Sequence, residues 1–353
     1  MSVVSARPSH ASTYLVRAAV TAPSVHDTQP WLFVANGDRA IELHADVDRR
    51  LLLTDPFGRE MVISCGAALF NVRLAMRHLG FKPVVQPFPD PRDPAFLARV
   101  TWGAYAEATP EEQAMYAALR RRHTVRGPFL TDPLPSHLVD TLSVQAHGES
   151  AGLHLVDDST SRRHLAELVR AGQDVHRTDP AHDPEQALWT WRLGHPRREG
   201  IPAGASGGPP GGGAGDQPPE DDGGGRPTGS DASAEAPGSG GPAGRDYAGL
   251  TRMFPTPPRR WPARTGLVAV LGTDRDDRPA WLRAGQALER IMLFAAARDV
   301  MAAFHTQPLE LPWLREQVRQ TLSAGEFPQM ILRLGYAPGT RPLPRRPLTE
   351  VLR

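Results

Sequence analysis

A single cysteine, Cys65, is all that the 353 residues contain, so no disulfide can form within the chain and a reducing compartment is expected. No apolar run approaches the roughly 20 residues that span a bilayer, and residues 1–10 lack the apolar core of a signal peptide. A cytoplasmic protein with no membrane partner is the expectation. Charge of one sign is also missing: 40 Lys+Arg stand against 39 Asp+Glu, for a formal net charge of +1. That balance gives nucleic acid no reason to be the main partner, although local arginine clusters can still hold a phosphate. The 13 histidines show no metal-ligand spacing such as His-x-x-x-His beside a carboxylate, so no metal is expected.

Another absence is local. Residues 202–244 contain no Val, Leu, Ile or aromatic residue and consist largely of Gly, Pro, Ala, Ser and Asp. Such a stretch cannot bury enough apolar surface to offset its ordering entropy, and it reads as a disordered surface insertion. The rest of the chain is long enough for two core-forming units or one large one.

Outside that segment, helix and strand patterns alternate. Residues 12–20 read as a short helix stopped at Ala22-Pro23, because proline bars its predecessor from helical geometry. Residues 31–34 and 40–44 read as strands around the turn Asn36-Gly37-Asp38. Cys65, Leu69, Val72, Met76 and Leu79 recur at helical spacing, with Gly80 as the stop, giving a helix over 65–79. Residues 96–102 read as a strand. A capping box with proline in the first turn starts a helix at Thr109-Pro110-Glu111-Glu112. Strands follow at 265–271 and 330–336, with a long helix at 281–304 whose middle, 291–297, is apolar on every side.

Two of these stretches resemble each other. Cys65-Gly66-Ala67-Ala68-Leu69 and Ala284-Gly285-Gln286-Ala287-Leu288 share Gly-x-Ala-Leu, and each helix precedes a strand with a similarly placed arginine, Arg99 and Arg333. An internal duplication with its joint near residue 108 is one reading, and the commonness of Gly-x-Ala-Leu in buried helices is the other.

Three segments carry candidate chemistry. Residues 22–31 hold Pro23, Ser24, Val25, His26, Asp27 and Gln29. A Ser24/Asp27 capping box there would leave backbone N–H groups pointing outward, suited to the electron-rich edge of a planar heterocycle. A plain Pro-rich turn is the alternative. Residues 120–129 place Arg122, His123, Thr124 and Arg126 at a helix end, either as a phosphate cradle or as cations complementing the helix dipole. Residues 342–348 hold Arg345 and Arg346 on a proline-stiffened backbone, as a ligand arm or a basic tail. Cys65 shares a helix face with Leu69 and Val72 and reads as a buried thiol.

Together these segments are specific. Pro-Ser-x-His-x-Thr-Gln-Pro-Trp at residues 23–31 resembles the flavin-contacting loop of the nitroreductase superfamily. Arg122-His123-Thr124-x-Arg126 resembles the Arg-His/Arg-Ser-x-x-Arg/Lys start of that family, and Arg345-Arg346-Pro347-Leu348 its basic C-terminal element. In ordinary members one short chain carries all three and two chains share the flavin. Here the Gln-Pro-Trp loop lies in the first half and the Arg-His start in the second, whose matching stretch at 146–151 has lost Gln-Pro-Trp. With Asp55-Pro56-x-Gly58-Arg59-Glu60 and Ile63-Ser64-Cys65-Gly66-Ala67, the pattern is similar to the Acg-like branch. Asp27 departs from the Asn usual in the loop, which puts a negative charge near the ring position.

The resemblance implies an α+β nitroreductase fold. Two related halves, 1–108 and 109–201 with 245–353, form an intramolecular pseudo-dimer around one FMN. The ring would rest on Pro23, Ser24, Val25, His26 and Gln29, and the phosphate would meet Arg122, His123, Thr124, Arg126, Arg345 and Arg346. Gln307, after the second long helix, would touch the ring. A lid near 185–200, with Trp189 and Trp191, would shield it, ordinary core packing being the other reading of those aromatics. The implied activity is NAD(P)H-dependent two-electron reduction of a nitro or quinone-like small molecule, with flavin storage as the alternative. No general acid, base or nucleophile stands out, so no catalytic residue is named. A monomer is expected, because the family's dimer interface is used internally.

Overall fold

Two long helices meet where their glycines touch, and the rest of the molecule is arranged around that crossing. The computed structural model describes residues 9–125, 129–178, 185, 188–192, 201–203, 266–337, 339 and 343–353. In chain order these give α1 His10–Ala19, β1 Trp31–Asn36, β2 Ala40–Ala45, α2 Arg59–His78, β3 Phe81–Pro87, β4 Phe96–Tyr105 and α3 Pro110–Ala118. Next come α4 Ser136–His147, β5 Gly152–Leu155, α5 Ser159–Thr178, β6 Thr190–Arg192 and β7 Ile201–Ala203. The chain ends with β8 Leu267–Thr273, α6 Arg278–Ala296, β9 Val300–Phe304, α7 Gln307–Glu310, α8 Pro312–Leu322, β10 Phe327–Tyr336 and α9 Leu348–Val351.

The two halves repeat one topology. α1-β1-β2-α2-β3-β4 and α4-β5-β8-α6-β9-β10 each run helix, two strands, helix, two strands. Their antiparallel sheets have the matching orders β1-β2-β4-β3 and β5-β8-β10-β9. The Gly-x-Ala-Leu stretches occupy equivalent positions in α2 and α6, and those two helices pack on each other. A Cβ on Gly66 would collide with the Leu282 carbonyl oxygen, and one on Gly285 with that of Ile63, so only glycine permits this approach. The fold is α+β, an intramolecular pseudo-dimer.

The halves differ in how their sheets are covered. β3 alternates exposed and half-buried residues, as a strand with one solvated face does. β8 and β10 are buried almost continuously, because α6 lies on one face of their sheet while α5, α7 and α8 cover the other. Arg99 on β4 reaches the Glu42 carboxylate at 2.9 Å, whereas its counterpart Arg333 on β10 is buried.

Several expectations change. The long second helix ends at Ala296 rather than running to Phe304. Asp299, at φ 61°, turns the chain, and residues 300–304 pair with β10 as β9. An apolar run of that length suits a buried helix or a buried strand equally, and only pairing decides. α2 starts at Arg59, six residues before the expected Cys65, because Arg59 and Glu60 are buried and Asp55 accepts a hydrogen bond from Met61 N at 2.8 Å. β3, α4, β5, α5 and α8 were not anticipated. The Thr109–Glu112 capping box forms as read, with bonds of 2.8 and 3.2 Å. Of the stretch read as disordered, residues 202 and 203 belong to β7, parallel to β6; residues 204–244 lie outside the described residues, as does Leu193 to residue 200 of the expected lid. No described helix is long and apolar enough to cross a membrane.

Candidate functional site

The link between α1 and β1 is strained at the point where a ligand loop was expected. His26, Asp27 and Gln29 have φ of 47°, 54° and 50°, a left-handed geometry that non-glycine residues adopt at a cost and that concentrates at functional sites. Surrounding bonds hold it. Ser24 Oγ accepts from Gln29 N at 2.9 Å, Thr28 Oγ1 donates to Val25 O at 2.9 Å, and Val25 N donates to Ser64 Oγ at 3.2 Å. The expected Ser24/Asp27 capping box does not form: Ser24 spends its hydroxyl on Gln29 N, and the Asp27 carboxylate faces Arg345 Nη1 at 2.9 Å and Gln29 Nε2 at 3.3 Å. The outward row of donors is also reduced, since Asp27 N and Thr28 N close the turn onto Ser24 O and Val25 O.

Beside this loop lies a partly open cleft lined by residues of both halves. One wall is Pro23, Ser24, Val25, His26 and Asp27 with Glu60, Ile63 and Ser64 from the first turns of α2. The facing wall is Thr124 and Val125, the end of β9 with His305 and Thr306, Met330 and Arg333 on β10, and Leu343 with Arg345. Val125 N donates to Ala302 O at 2.8 Å, which pins the Thr124 segment to β9.

The expected site residues do not all reach the cleft. Pro23, Ser24, Val25, His26, Thr124 and Arg345 line the cleft. Gln29, Arg122, Arg346 and Gln307 are buried and do not form its wall. Gln29 Oε1 accepts from Arg346 N at 2.8 Å, and Arg346 Nη1 donates to Gln29 O at 3.0 Å and approaches Asp46 at 3.2 Å, so the pair bolts the C-terminal segment over β1. Arg346 therefore points away from the cleft that Arg345 enters. Gln307 opens α7 against Gly172 of α5, one residue past Thr306 at the cleft. His123 is half-buried, and burial, then Arg122 and Arg345, push its titration below the ordinary histidine range. Arg126 lies outside the described residues.

Arg122 sits behind the cleft, 3 % exposed. Its Nη2 donates to Thr21 O at 2.7 Å and its Nε lies 3.5 Å from Glu289 Oε1, while neither Nε nor Nη1 makes a hydrogen bond among the described residues. Burial lowers its pKa against the pull of Glu289. Glu289, 0 % exposed, is pushed up to about 7 by burial, with Arg122 and a 3.0 Å bond from Asn71 Nδ2 opposing. Cys65 is buried with its thiol toward Pro30 O, and burial raises its pKa. Among the described residues no cluster of His, Cys, Asp or Glu has metal-binding geometry.

The residues that sequence reasoning missed are Glu60, His305, Thr306, Arg333 and Glu289. Glu60 appeared in the Asp55–Glu60 motif, Arg333 in the repeat and Thr306 beside Gln307, without being assigned to the site, and only the apposition of the halves brings the five together. At the equivalent place in the second half, Glu149 is clamped between Arg73 at 2.6 Å and Arg290 at 3.2 Å, so ion pairs fill the stretch where Gln-Pro-Trp is missing. Near the expected lid, Glu185 accepts from Leu53 N, Thr54 N and Thr54 Oγ1 at 3.0, 2.9 and 2.7 Å. Trp189 lies under Arg49, 5.8 Å from guanidinium carbon to ring centroid, and Arg49 also donates to Thr28 O of the strained loop.

No family model matches the chain. It is 35% identical over 342 residues to a Mycobacterium tuberculosis protein named "Putative NAD(P)H nitroreductase", with 95% of this chain and 88% of that one covered. A second protein of that organism, named "Putative NAD(P)H nitroreductase acg", is 27% identical over 340 residues, covering 95% and 93%. Two solved structures overlap in part: a nitroreductase with bound FMN from Desulfitobacterium hafniense (TM-score 0.39, 12% identity, 67% of this chain and 95% of that one) and the FMN-dependent nitroreductase NfnB from Mycobacterium smegmatis in complex with NADPH (TM-score 0.38, 16%, 68% and 97%). The sequence relatives decide the matter, spanning both halves in one polypeptide. The chain belongs to the nitroreductase superfamily. Within it, this is a member of the Acg-like branch.

Proposed function

We propose that the chain holds one FMN in this cleft and uses NAD(P)H for two-electron reduction of a nitro or quinone-like small molecule. The observation that carries the reading is that neither half contains the cleft: a strained loop and the start of α2 face a hydroxyl, a histidine and arginines from the other half. The residues present fit the group. Arg345 enters the cleft, Thr124 supplies a hydroxyl, and the spare Nη1 donor of Arg122 lies just behind, matching the charge-assisted, multi-donor capture that a phosphate requires. The curated relatives' names support the NAD(P)H-dependent activity.

Bound there, FMN supplies the redox chemistry. The chain's own residues bind, orient and exclude water. Val25, Ile63, Val125, Phe304, Met330 and Leu343 give the cleft its apolar lining. Ser64, bonded to both Val25 N and Glu60 O, fixes the loop that would hold the ring. Gln29 and Arg346 hold the C-terminal segment so that Arg345 keeps its place.

A second reading, flavin storage with little turnover, draws on the strap of Glu185 and Trp189 across the first half. Anaerobic mixing of the yellow protein with NADPH separates the two. Rapid bleaching of flavin absorption is expected; a flavin that binds but stays oxidised would assign the chain to storage. A colourless protein that takes up no added FMN would remove both.

A further inference from the structure

The buried ion pair behind the cleft is larger than a lining residue needs. Glu289 lies one turn beyond Gly285 on α6 and is wholly inaccessible, and burying a carboxylate beside a cation rarely stabilises a fold by itself. Three elements converge on it: Asn71 of α2 donates to it at 3.0 Å, Arg122 after α3 stands 3.5 Å away, and the C-terminal Arg345 acts on it at longer range. Arg122 is in turn tied to Thr21 O through Nη2, while Nε, 3.5 Å from Glu289, and Nη1 make no hydrogen bond among the described residues.

We infer that Glu289 is the positioning residue for Arg122, and that capture of a phosphate by Arg122 and Arg345 is coupled to uptake of one proton by the Glu289 carboxyl. This rests on the flavin reading above. In the ligand-free protein the two arginines and Asn71 favour the carboxylate, burial opposes them more strongly, and the group titrates at about 7. A phosphate brings roughly 1.5 to 2 negative charges to the same arginines. It opposes the carboxylate's charge and draws the proton onto Glu289 from solvent. The other charged or titratable groups around this cluster are Asp27, His123 and, on the cleft wall, His26, Glu60, His305 and Arg333. Asp27 is paired with Arg345, and His123 is pushed toward its neutral form by burial, Arg122 and Arg345. On α6 itself, Arg290 is turned to Gln145 and Glu149.

The sign follows from linkage. A ligand that raises the pKa of a group binds more tightly where that group is protonated, so affinity falls as pH rises above about 7, by up to about tenfold per pH unit while one proton is taken up. The second ionisation of the phosphate, near pH 6, acts in the opposite direction and below this range.

The test is a titration of FMN and of riboflavin, which has no phosphate, into the flavin-free full-length protein between pH 6.5 and 8.5, for the wild type and Glu289→Gln. The wild-type Kd for FMN should rise about tenfold or more across that range, while riboflavin in either protein, and FMN with the variant, give flat profiles. Calorimetry in two buffers of different ionisation enthalpy reads the proton directly in the wild type alone, so a variant that fails to fold does not block the answer: about one proton is taken up at pH 8. Equal pH slopes for FMN and riboflavin, or no proton uptake, overturn the coupling and leave the flavin site standing. A wild type that binds no FMN at any pH overturns the site and the coupling together.

Discussion

Replacing Gly285 with Ala tests the helix crossing that brings the two halves together. In α6 an alanine is intrinsically better than glycine by about 1 kcal/mol, so without tertiary contact the change would stabilise the protein. Here the new methyl would meet the Ile63 carbonyl oxygen and stand 2.8 Å from Gly66 Cα, where ordinary contact begins near 3.4 Å. Neither obstacle is a flexible side-chain end. The helices must therefore separate by something near 1 Å along their contact, and overpacking of this kind costs about 1–3 kcal/mol or more. Because both obstacles are backbone, the cost belongs at the upper end, about 3 kcal/mol. Net of the propensity gain about 2 kcal/mol is lost, so Tm should fall measurably, by about 2 °C per kcal/mol or somewhat less in a chain larger than those for which about 2–4 °C holds. The strain also reaches the cleft, because Ile63 supplies both the struck carbonyl and a cleft-wall side chain. Flavin affinity should fall with stability. Gly66→Ala should do the same, and the double variant should lose less than the two losses added, because one separation relieves both clashes. Thermal unfolding followed by circular dichroism reads the first effect and flavin fluorescence the second. An unchanged or raised Tm for Gly285→Ala would refute the close approach and the pseudo-dimer packing built on it.

The two neighbouring arginines should separate function from structure. Arg345→Ala removes a charged donor from the cleft wall and should weaken FMN binding about tenfold or more, equivalent to roughly 1.5–3 kcal/mol, with a small change in Tm; a Kd equal to wild type would take Arg345 out of the site. Arg346→Ala instead strands the Gln29 carbonyl and Asp46 beneath the C-terminal segment, so Tm should drop measurably by calorimetry, whereas a Tm loss no larger than that of Arg345→Ala would contradict the bolt. Asp27→Asn keeps a hydrogen-bonding shape but releases Arg345 from a carboxylate at 2.9 Å, so FMN should bind several-fold more tightly by the same titration. Weaker binding would mean that Asp27 places Arg345 rather than competes for it.

Local physics made part of this protein readable in one dimension. The Asn36-Gly37 turn between β-branched and aromatic runs specified the β1–β2 hairpin, and Thr109-Pro110-Glu111-Glu112 specified the start of α3, since each pattern satisfies its backbone within a few residues. The residues at 23–29 read by themselves as a plain Pro-rich turn, and it was their resemblance to the flavin-contacting loop of the nitroreductases that marked them. Other features were not readable. Arg59 and Glu60 look like surface residues and are buried. Residues 300–304 match a buried helix as well as a strand. α5 and α8 find their partners only against a sheet that their own segments do not encode.

Sequence alone determined that the chain is nearly neutral, cannot form an internal disulfide, repeats a Gly-x-Ala-Leu helix, and divides loop and arginine motifs between its halves. Tertiary structure alone decided that the repeated glycines face each other, that Arg345 and not Arg346 enters the cleft, and that Glu289 stands behind Arg122. The reason is range. Caps, turns and helical periodicity are settled by neighbours within about one turn, whereas a buried charge or a backbone contact through glycine is settled by whichever distant residue arrives opposite it.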